Sequence, residues 1–392
     1  MSDWYCPLPF RHAYIDSTGI AACCQTQRYQ VALDAWATHP ELIKLQQELL
    51  AGNKPAVCKS CVRQEQIYGA SLRTNSNRDY NNQVFTDTNL DFIDFRSVNI
   101  CNFKCRSCNP LFSHGITQEI NNYPELEKFF GTAPTSKIVT VTDGNVDWII
   151  RNLKSLKRIM FTGGEPTLIP GVRNLINEIK LHHQEIMVMI TSNASFQDDF
   201  WFEITEQLPN LHWTVSVDAV GPAAEIVRHG SDWAVIERNV SWLAQHAQSL
   251  DINSVVSNLT IFELKPLLEF GRNMQQLSIT PIGRHGDRGC RHQFFVCQRP
   301  YWLAADNLSE ELLHRAVPYL ESCTTLDLDD EQRNMLDGLV SQIKSAKFDP
   351  QLWNKSQSYN QTLNQIRNED HLTLYDTQKY KYLHAPQHKK RP

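Results

Sequence analysis

Eight of the eleven cysteines lie within the first 108 residues, so the chemistry this chain could do is concentrated there. Cys101-Asn102-Phe103-Lys104-Cys105-Arg106-Ser107-Cys108 sets three of them at C-x3-C-x2-C. A short loop carrying three thiolates can wrap one cubic iron–sulfur cluster and leave one iron without a protein ligand. A closed structural zinc site takes four protein ligands instead. Spacing alone leaves open a zinc loop with a distant fourth ligand, or three unrelated thiols. A second set comprises Cys6, Cys23, Cys24, Cys58 and Cys61, with Cys58-Lys59-Ser60-Cys61 at the C-x2-C spacing of a metal knuckle. A hairpin of residues 10–15 and 19–23, turning at Asp16-Ser17-Thr18-Gly19, would bring Cys6 and Cys24 together. The knuckle would then complete a four-thiolate site, zinc or iron–sulfur alike by spacing, with Cys23 a bystander beside Cys24.

Four further polar or glycine-rich signals follow strand-like runs. The cysteine loop itself is the first. The second is Phe161-Thr162-Gly163-Gly164-Glu165-Pro166, where paired glycines let backbone approach a ligand and Glu165 places an anion suited to an ammonium group. Thr191-Ser192-Asn193 offers small hydrogen-bonding groups that could meet a ribose. Ser216-Val217-Asp218 is followed by Arg228, and an arginine can clamp a carboxylate with two hydrogen bonds. Each signal alone is equally compatible with a turn, a loop or a surface ion pair.

These residues need a frame. Strands are expected at residues 90–100, 158–162, 186–191, 212–217, 252–257 and 277–281, with helices at 172–182, 233–247 and 262–274 between them. Alternating strands and helices predict an α/β parallel sheet, closed or partly closed as a barrel, with chemistry at the C-terminal strand ends. An amphipathic helix is expected at 40–50, and a linker or surface helix over 66–88. Past residue 285 helices are expected at 300–326, at 330–346 and around 363–369. Cys290, Cys297 and Cys323 match no compact site there and read as core or surface thiols, and the His388-Lys389-Lys390-Arg391-Pro392 end as a solvated tail.

Hydrophobic residues make up 41% and charged residues 21% of the 392, an ordinary balance for a chain with a sizeable core. A net charge of −5 argues against a broad nucleic-acid or membrane-surface footprint. No apolar run approaches the ~20 residues of a bilayer span. The start, Met1-Ser2-Asp3-Trp4-Tyr5-Cys6-Pro7, lacks the basic and apolar regions of a secretory signal. The expected compartment is the reducing cytoplasm, where cysteines serve first as metal ligands or catalytic groups.

Together, Cys101, Cys105, Cys108 and the Gly163-Gly164-Glu165-Pro166 turn resemble the radical S-adenosylmethionine (SAM) superfamily in motif, order and separation. Ser107 departs from it, standing where many members carry an aromatic residue beside the adenine. Cys6-x12-Gly19-x4-Cys24 with Cys58-x2-Cys61 resembles the cysteine pattern of SPASM and twitch auxiliary-cluster domains. The resemblance covers residues 1 to about 260. It implies a partial (β/α)6 TIM-like barrel over residues 89–285. A small cysteine-rich auxiliary-cluster domain would occupy 1–88, and a mainly helical extension 286–392.

By the same resemblance, Cys101, Cys105 and Cys108 would hold a 4Fe–4S cluster that SAM chelates. Gly163, Gly164, Glu165 and Pro166 would form the site of its amine and Arg228 that of its carboxylate, with Ser192, Asn193 and Ser216 at the ribose. Cys6, Cys24, Cys58 and Cys61 would hold one auxiliary 4Fe–4S cluster in an electron-transfer role. An electron donor such as a flavodoxin or ferredoxin is implied. So is reductive cleavage of SAM to a 5′-deoxyadenosyl radical that modifies a peptide or protein, with a carbohydrate or nucleotide-linked metabolite as the alternative substrate. A non-catalytic zinc- or cluster-binding scaffold is the reading from a different class. Fold-level analogy does not choose among these substrates.

Overall fold

The computed structural model describes residues 4–96, 98–131, 143–278 and 289–376. Eight strands form one sheet: β1 (His12–Asp16), β2 (Gly19–Ala21), β3 (Phe92–Phe95), β4 (Arg158–Phe161), β5 (Met187–Ser192), β6 (Leu211–Ser216), β7 (Ser249–Val256) and β8 (Gly289–Val296). Their order is β2-β1-β3-β4-β5-β6-β7-β8. Every neighbouring pair is parallel except the β1–β2 hairpin. Parallel pairing requires a crossover between strands, and helices such as Pro170–His182, Trp233–His246 and Leu264–Leu277 supply it. β2 and β8 are sheet edges and do not pair with each other, so the barrel is partial.

Alternation decides which residues reach the site. Ile159, Phe161, Val188, Ile190, Trp213, Val215 and Ile252 are buried beneath the helices. The intervening set faces the other way and mixes methionines such as Met160 and Met189 with polar groups: Asp94 accepts from Thr162, and Arg291 from β8 makes two bonds to Asp251 of β7 (3.1 and 2.9 Å). The apolar face folds the sheet, leaving the other face and the C-terminal strand ends for ligands.

Several expected boundaries differ. The run 277–281 does not supply the last strand. Leu277 closes the Leu264–Leu277 helix, whose Leu267, Leu268, Phe270 and Met274 carry the apolar period through to that end, and residues 279–281 lie outside the described residues. The last strand is β8, beyond residue 285 and inside the core sheet rather than in the C-terminal extension. Its Arg-His-Gln run looks polar in sequence, but His292 is fully buried against Ser254 and only the alternate side chains meet solvent. β3 is four residues long, not the eleven of 90–100.

The cysteine-rich segment is not detached either. The expected hairpin forms, but β1 also pairs in parallel with β3, from His12↔Phe92 to Ile15↔Phe95. Ile20, Trp36 and Leu42 share one buried cluster with Ile93, Ile159 and Ile190. The helices Glu310–Cys323, Asp330–Ser345 and Pro350–Arg367 make the C-terminal region mainly helical. They pack on the β7 and β8 ends in a second cluster that includes Val256, Phe294, Leu336 and Tyr359. Cys290, Cys297 and Cys323 are buried core thiols. The tail beyond residue 376, including 388–392, lies outside the described residues. Among the described residues, no helix is long and apolar enough to cross a membrane.

Candidate functional site

The loop after β3 is held from two directions. Asn99 accepts from the His114 amide (2.8 Å), Lys104 donates to the His229 carbonyl (2.8 Å), and Arg106 donates to the Val227 carbonyl (2.9 Å). This short pairing lays the cysteine loop along residues 227–229. The Phe103 amide points at Cys101 Sγ (3.4 Å), a contact that favours a thiolate. Burial pushes the thiols of Cys101 and Cys108 up to about 12, and each is raised further by Cys105. Burial raises Cys105 too, while the Arg228 guanidinium pulls it back. Three half-buried thiols that resist ionisation together, beside a cation, suit a positively charged metal core that would offset their repulsion.

The Gly-Gly-Glu-Pro turn lies directly against this loop. Gly164 N–H donates to the Val98 carbonyl (3.2 Å) and Glu165 N–H to the Ile100 carbonyl (2.7 Å), one residue before Cys101. Gly163 sits at φ +116°, and a Cβ on Gly164 would overlap the Ile100 carbonyl, so bare backbone is required there. Glu165 is buried, 1% exposed. Its Oε1 accepts from Thr167 Oγ1 (2.6 Å), Thr167 N (3.2 Å) and Ser192 Oγ (2.8 Å), and its Oε2 from Asn193 N (2.7 Å). Burial raises the carboxyl pKa, and these donors work against that rise. Glu165 and Cys101 are close enough for the carboxylate to oppose ionisation of the thiol.

Ser192 and Asn193, expected at the ribose, also bond within the protein. The Ser192 hydroxyl donates to Glu165 and accepts from the Ala194 amide (3.0 Å). The Asn193 side chain donates to Asn102 Oδ1 in the cysteine loop (2.9 Å) and accepts from Ser195 N (2.9 Å). Both brace the turn and the loop. Ser216 ends β6 in register with Asn253, whose buried Oδ1 has no partner among the described residues.

Arg228 comes from the short helix–loop after β6. Its Nη1 donates to Asp218 Oδ2 (2.9 Å), and Asp218 is held in turn by the Val255 amide (2.9 Å). Burial works against the guanidinium charge, but Cys105, Asp218 and Cys101 outweigh it and raise the pKa. Its buried Nε has no partner among the described residues, a donor free to take a ligand oxygen. Arg228 lies beside the cysteine loop, its guanidinium 6.0 Å from the Phe103 ring.

The second cysteine set departs from expectation at one position. Cys6, Cys23, Cys58 and Cys61 line one cavity with Leu8 and Leu45. Cys6 is raised first by burial and then by Cys23, Cys58 and Cys61, so the four sulfurs act on one another. Cys24 points elsewhere: after burial, the charges it meets are those of Cys23, Asp94, Arg96 and Arg28. Cys23 and Cys24 lie past the end of β2, in a bend and turn. That turn is closed by Thr26 N–H to the Cys23 carbonyl (3.1 Å) and Cys23 N–H to Thr26 Oγ1 (3.2 Å). Cys58 caps, and Cys61 lies in the first turn of, the helix Lys59–Tyr68, whose N-terminal dipole favours negative sulfur. Among the described residues, no three His, Cys, Asp or Glu converge on a single ion. Thiolates on separate irons of a cubane stand farther apart than thiolates on one ion.

Sequence reasoning passed over Arg106, His229 and Glu369, and gave Asp218 only a place in the Ser216-Val217-Asp218 strand end. Arg106 carried one signal, an arginine inside the cysteine motif, but its side-chain partners are more than 250 residues away.

Comparison with known proteins bears on the same stretch. Residues 96–270 match the family model described as the Radical SAM superfamily. No curated protein sequence matches significantly. Among solved structures, native anSMEcpe with bound AdoMet aligns at TM-score 0.39 and 15% identity, over 60% of this chain and 59% of that one. SuiB from Streptococcus suis bound to S-adenosylmethionine aligns at TM-score 0.39 and 13% identity, over 73% of this chain and 57% of that one. The same protein bound to precursor peptide SuiA aligns at 0.36 and 12%, over 58% and 53%. This chain thus spans less than two thirds of each of those chains. The family match contains the three-cysteine loop, the Gly-Gly-Glu-Pro turn and Arg228, so it is over residues 96–270 that this chain is similar to the radical SAM superfamily.

Proposed function

We propose that this chain is a radical SAM enzyme acting on a peptide or protein, with a second 4Fe–4S cluster held by Cys6, Cys23, Cys58 and Cys61. The observation that carries the catalytic part is the bond from Glu165 N–H to the Ile100 carbonyl, which seats the acid-bearing turn beside Cys101. Cys101, Cys105 and Cys108 would hold the first cluster. Bound there, the cluster supplies the electron that cleaves SAM, and the resulting 5′-deoxyadenosyl radical takes a hydrogen atom from substrate.

The residues of the chain do the rest. Glu165, held in place by four donors, accepts from the SAM ammonium beside the exposed backbone of Gly163 and Gly164. Arg228 turns its free Nε to the SAM carboxylate while Asp218 fixes its other edge. Ser216 and Asn253 meet the ribose. Ser192, Asn193 and Asn102 hold the turn and the loop at fixed separation. The auxiliary site, with four thiolates and no open position, serves electron transfer. An external one-electron donor such as a flavodoxin or ferredoxin completes the reduction.

The peptide reading is supported by a cleft of about 1300 Å³ between the helix Lys59–Tyr68 and the segment after β8. Its walls carry Lys59, Arg63, Arg299 and Lys347 together with Asp306 and Glu331. Small-molecule sites run to roughly 300–1,000 Å³ and are mostly apolar. A larger cleft with both signs of charge suits an extended polar chain. One wall is the helix that bears Cys61, so a segment lying there would sit beside the second cluster.

Anaerobically reconstituted protein, given dithionite and SAM, should release 5′-deoxyadenosine, and Cys105→Ala should abolish that release. A colourless protein that binds zinc and leaves SAM intact would overturn the reading in favour of a scaffold.

A further inference from the structure

The C-terminal third carries no cysteine motif, yet its last helix grips the cysteine loop. Arg106, between the second and third cysteines, is 1% exposed. It donates to Asn360 Oδ1 (2.9 Å), Asn364 Oδ1 (2.9 Å) and Glu369 Oε2 (2.6 Å), as well as to the Ile226 carbonyl (3.1 Å). Tyr359 Oη donates to the Arg106 carbonyl (2.7 Å). A second link runs from the other side of Cys105. Lys104 Nζ bonds Glu119 (2.9 Å), and Glu119 takes two bonds from Arg367 (2.6 and 3.1 Å). Both loop residues that flank Cys105 are thus tied to residues 360–369.

Glu369 does more than anchor Arg106. Its other oxygen, Oε1, bonds His229 Nδ1. His229 follows Arg228, and its carbonyl accepts from the Lys104 amide. One carboxylate therefore bridges the loop that bears the cluster ligands and the segment that bears the carboxylate clamp.

We infer that Glu369 and Arg106 are positioning residues that set the separation between the Cys105–Cys108 turn and Arg228, and through it the fit of SAM on the first cluster. This rests on the proposed reading of that site. Neither residue touches a reacting atom; their effect passes through residues that do. Groups behind metal ligands typically change affinity or activity about 10–100-fold when altered. Glu369→Gln keeps the shape and removes the negative charge that Arg106 and His229 share. Asn364→Ala removes one bond to Arg106 and two to His371 and leaves the Glu369 bridge in place.

The test uses the reconstituted full chain. Glu369→Gln should keep the wild-type iron content. It should weaken SAM binding about tenfold, read from the change that SAM causes in the electron paramagnetic resonance spectrum of the reduced cluster. Its cluster potential should shift upward, since one negative charge near the cluster is gone. Asn364→Ala should show a smaller loss of affinity and an unchanged potential. Wild-type affinity and potential in Glu369→Gln at full iron content would overturn the inference and leave the network a purely structural strut. Wild-type protein that takes up iron but shows no spectral response to SAM would overturn the proposed function itself, a result distinct from any change in the variant alone.

Discussion

Cys23→Ala and Cys24→Ala differ by one position and should differ by a whole cluster. In the fold, Cys23 shares a cavity with Cys6, Cys58 and Cys61. Burial pushes its thiol up to about 11, and Cys61 and Cys58 add to that rise, as sulfurs facing one another must. Cys24 is held up to about 12 by burial, and beyond its neighbour it meets Asp94, Arg96 and Arg28 rather than the other three sulfurs. Two cubane clusters contribute about eight irons per chain, four at each site. Removing one of four thiolates from the second site should therefore leave about four irons in Cys23→Ala, with absorbance near 400 nm roughly halved. Cys24→Ala should keep about eight. Both variants should be reconstituted anaerobically beside wild type, with iron, sulfide and protein measured on the same samples. An unchanged iron count in Cys23→Ala with loss in Cys24→Ala would refute the geometric reasoning. Equal retention in both would refute the four-thiolate site.

Other outcomes follow from the same geometry. Arg367 and Glu119 are side chains only 2% and 3% exposed, so Arg367→Met should cost about 3–5 kcal/mol in urea unfolding. A loss within about 0.5 kcal/mol would show that Lys104 alone satisfies Glu119. Burial opposes ionisation of Glu119, but bonds from Arg367 and Lys104 outweigh it and its pKa lies below the usual carboxylate value. Its stabilising contribution is thus fully present above the unfolded-state carboxylate pKa and fades as pH falls through the lower folded value. In Arg367→Met that part of the acid destabilisation should shrink. Gly164→Ala drives a Cβ into the Ile100 carbonyl; it should keep near-normal iron while 5′-deoxyadenosine release falls about 100-fold, because the turn that seats SAM is displaced. Ser192→Ala removes one of four donors to a buried carboxylate, about 1.5–3 kcal/mol for a bond to a charged group. SAM binding should weaken, and a variant with unaltered SAM affinity would free Glu165 of that role.

Local chemistry was legible where it lies in adjacent residues. C-x3-C-x2-C and Gly-Gly-Glu-Pro each occupy one short loop, and apolar periodicity was enough to place β4 to β7 and the helices Pro170–His182 and Trp233–His246, though not the helix Asp199–Gln207. The hairpin before Cys23 was legible for the same reason, since a turn is a property of four neighbouring residues. What sequence alone did not resolve is set by faces and by distance. Cys23 and Cys24 are equivalent as letters and differ only in where the turn after β2 aims them.

The residues themselves determined that three sulfurs and an acid-bearing glycine turn would exist, each at the end of a strand. Tertiary structure decided that the turn lies on the loop, that Ser192 serves Glu165, and that His292 is buried. It also decided that Arg106 finds its partners in the last helix. Those outcomes depend on polar groups losing water as the core closes. A buried donor or acceptor must then find whichever partner the packing brings within about 3 Å, however far along the chain that partner lies.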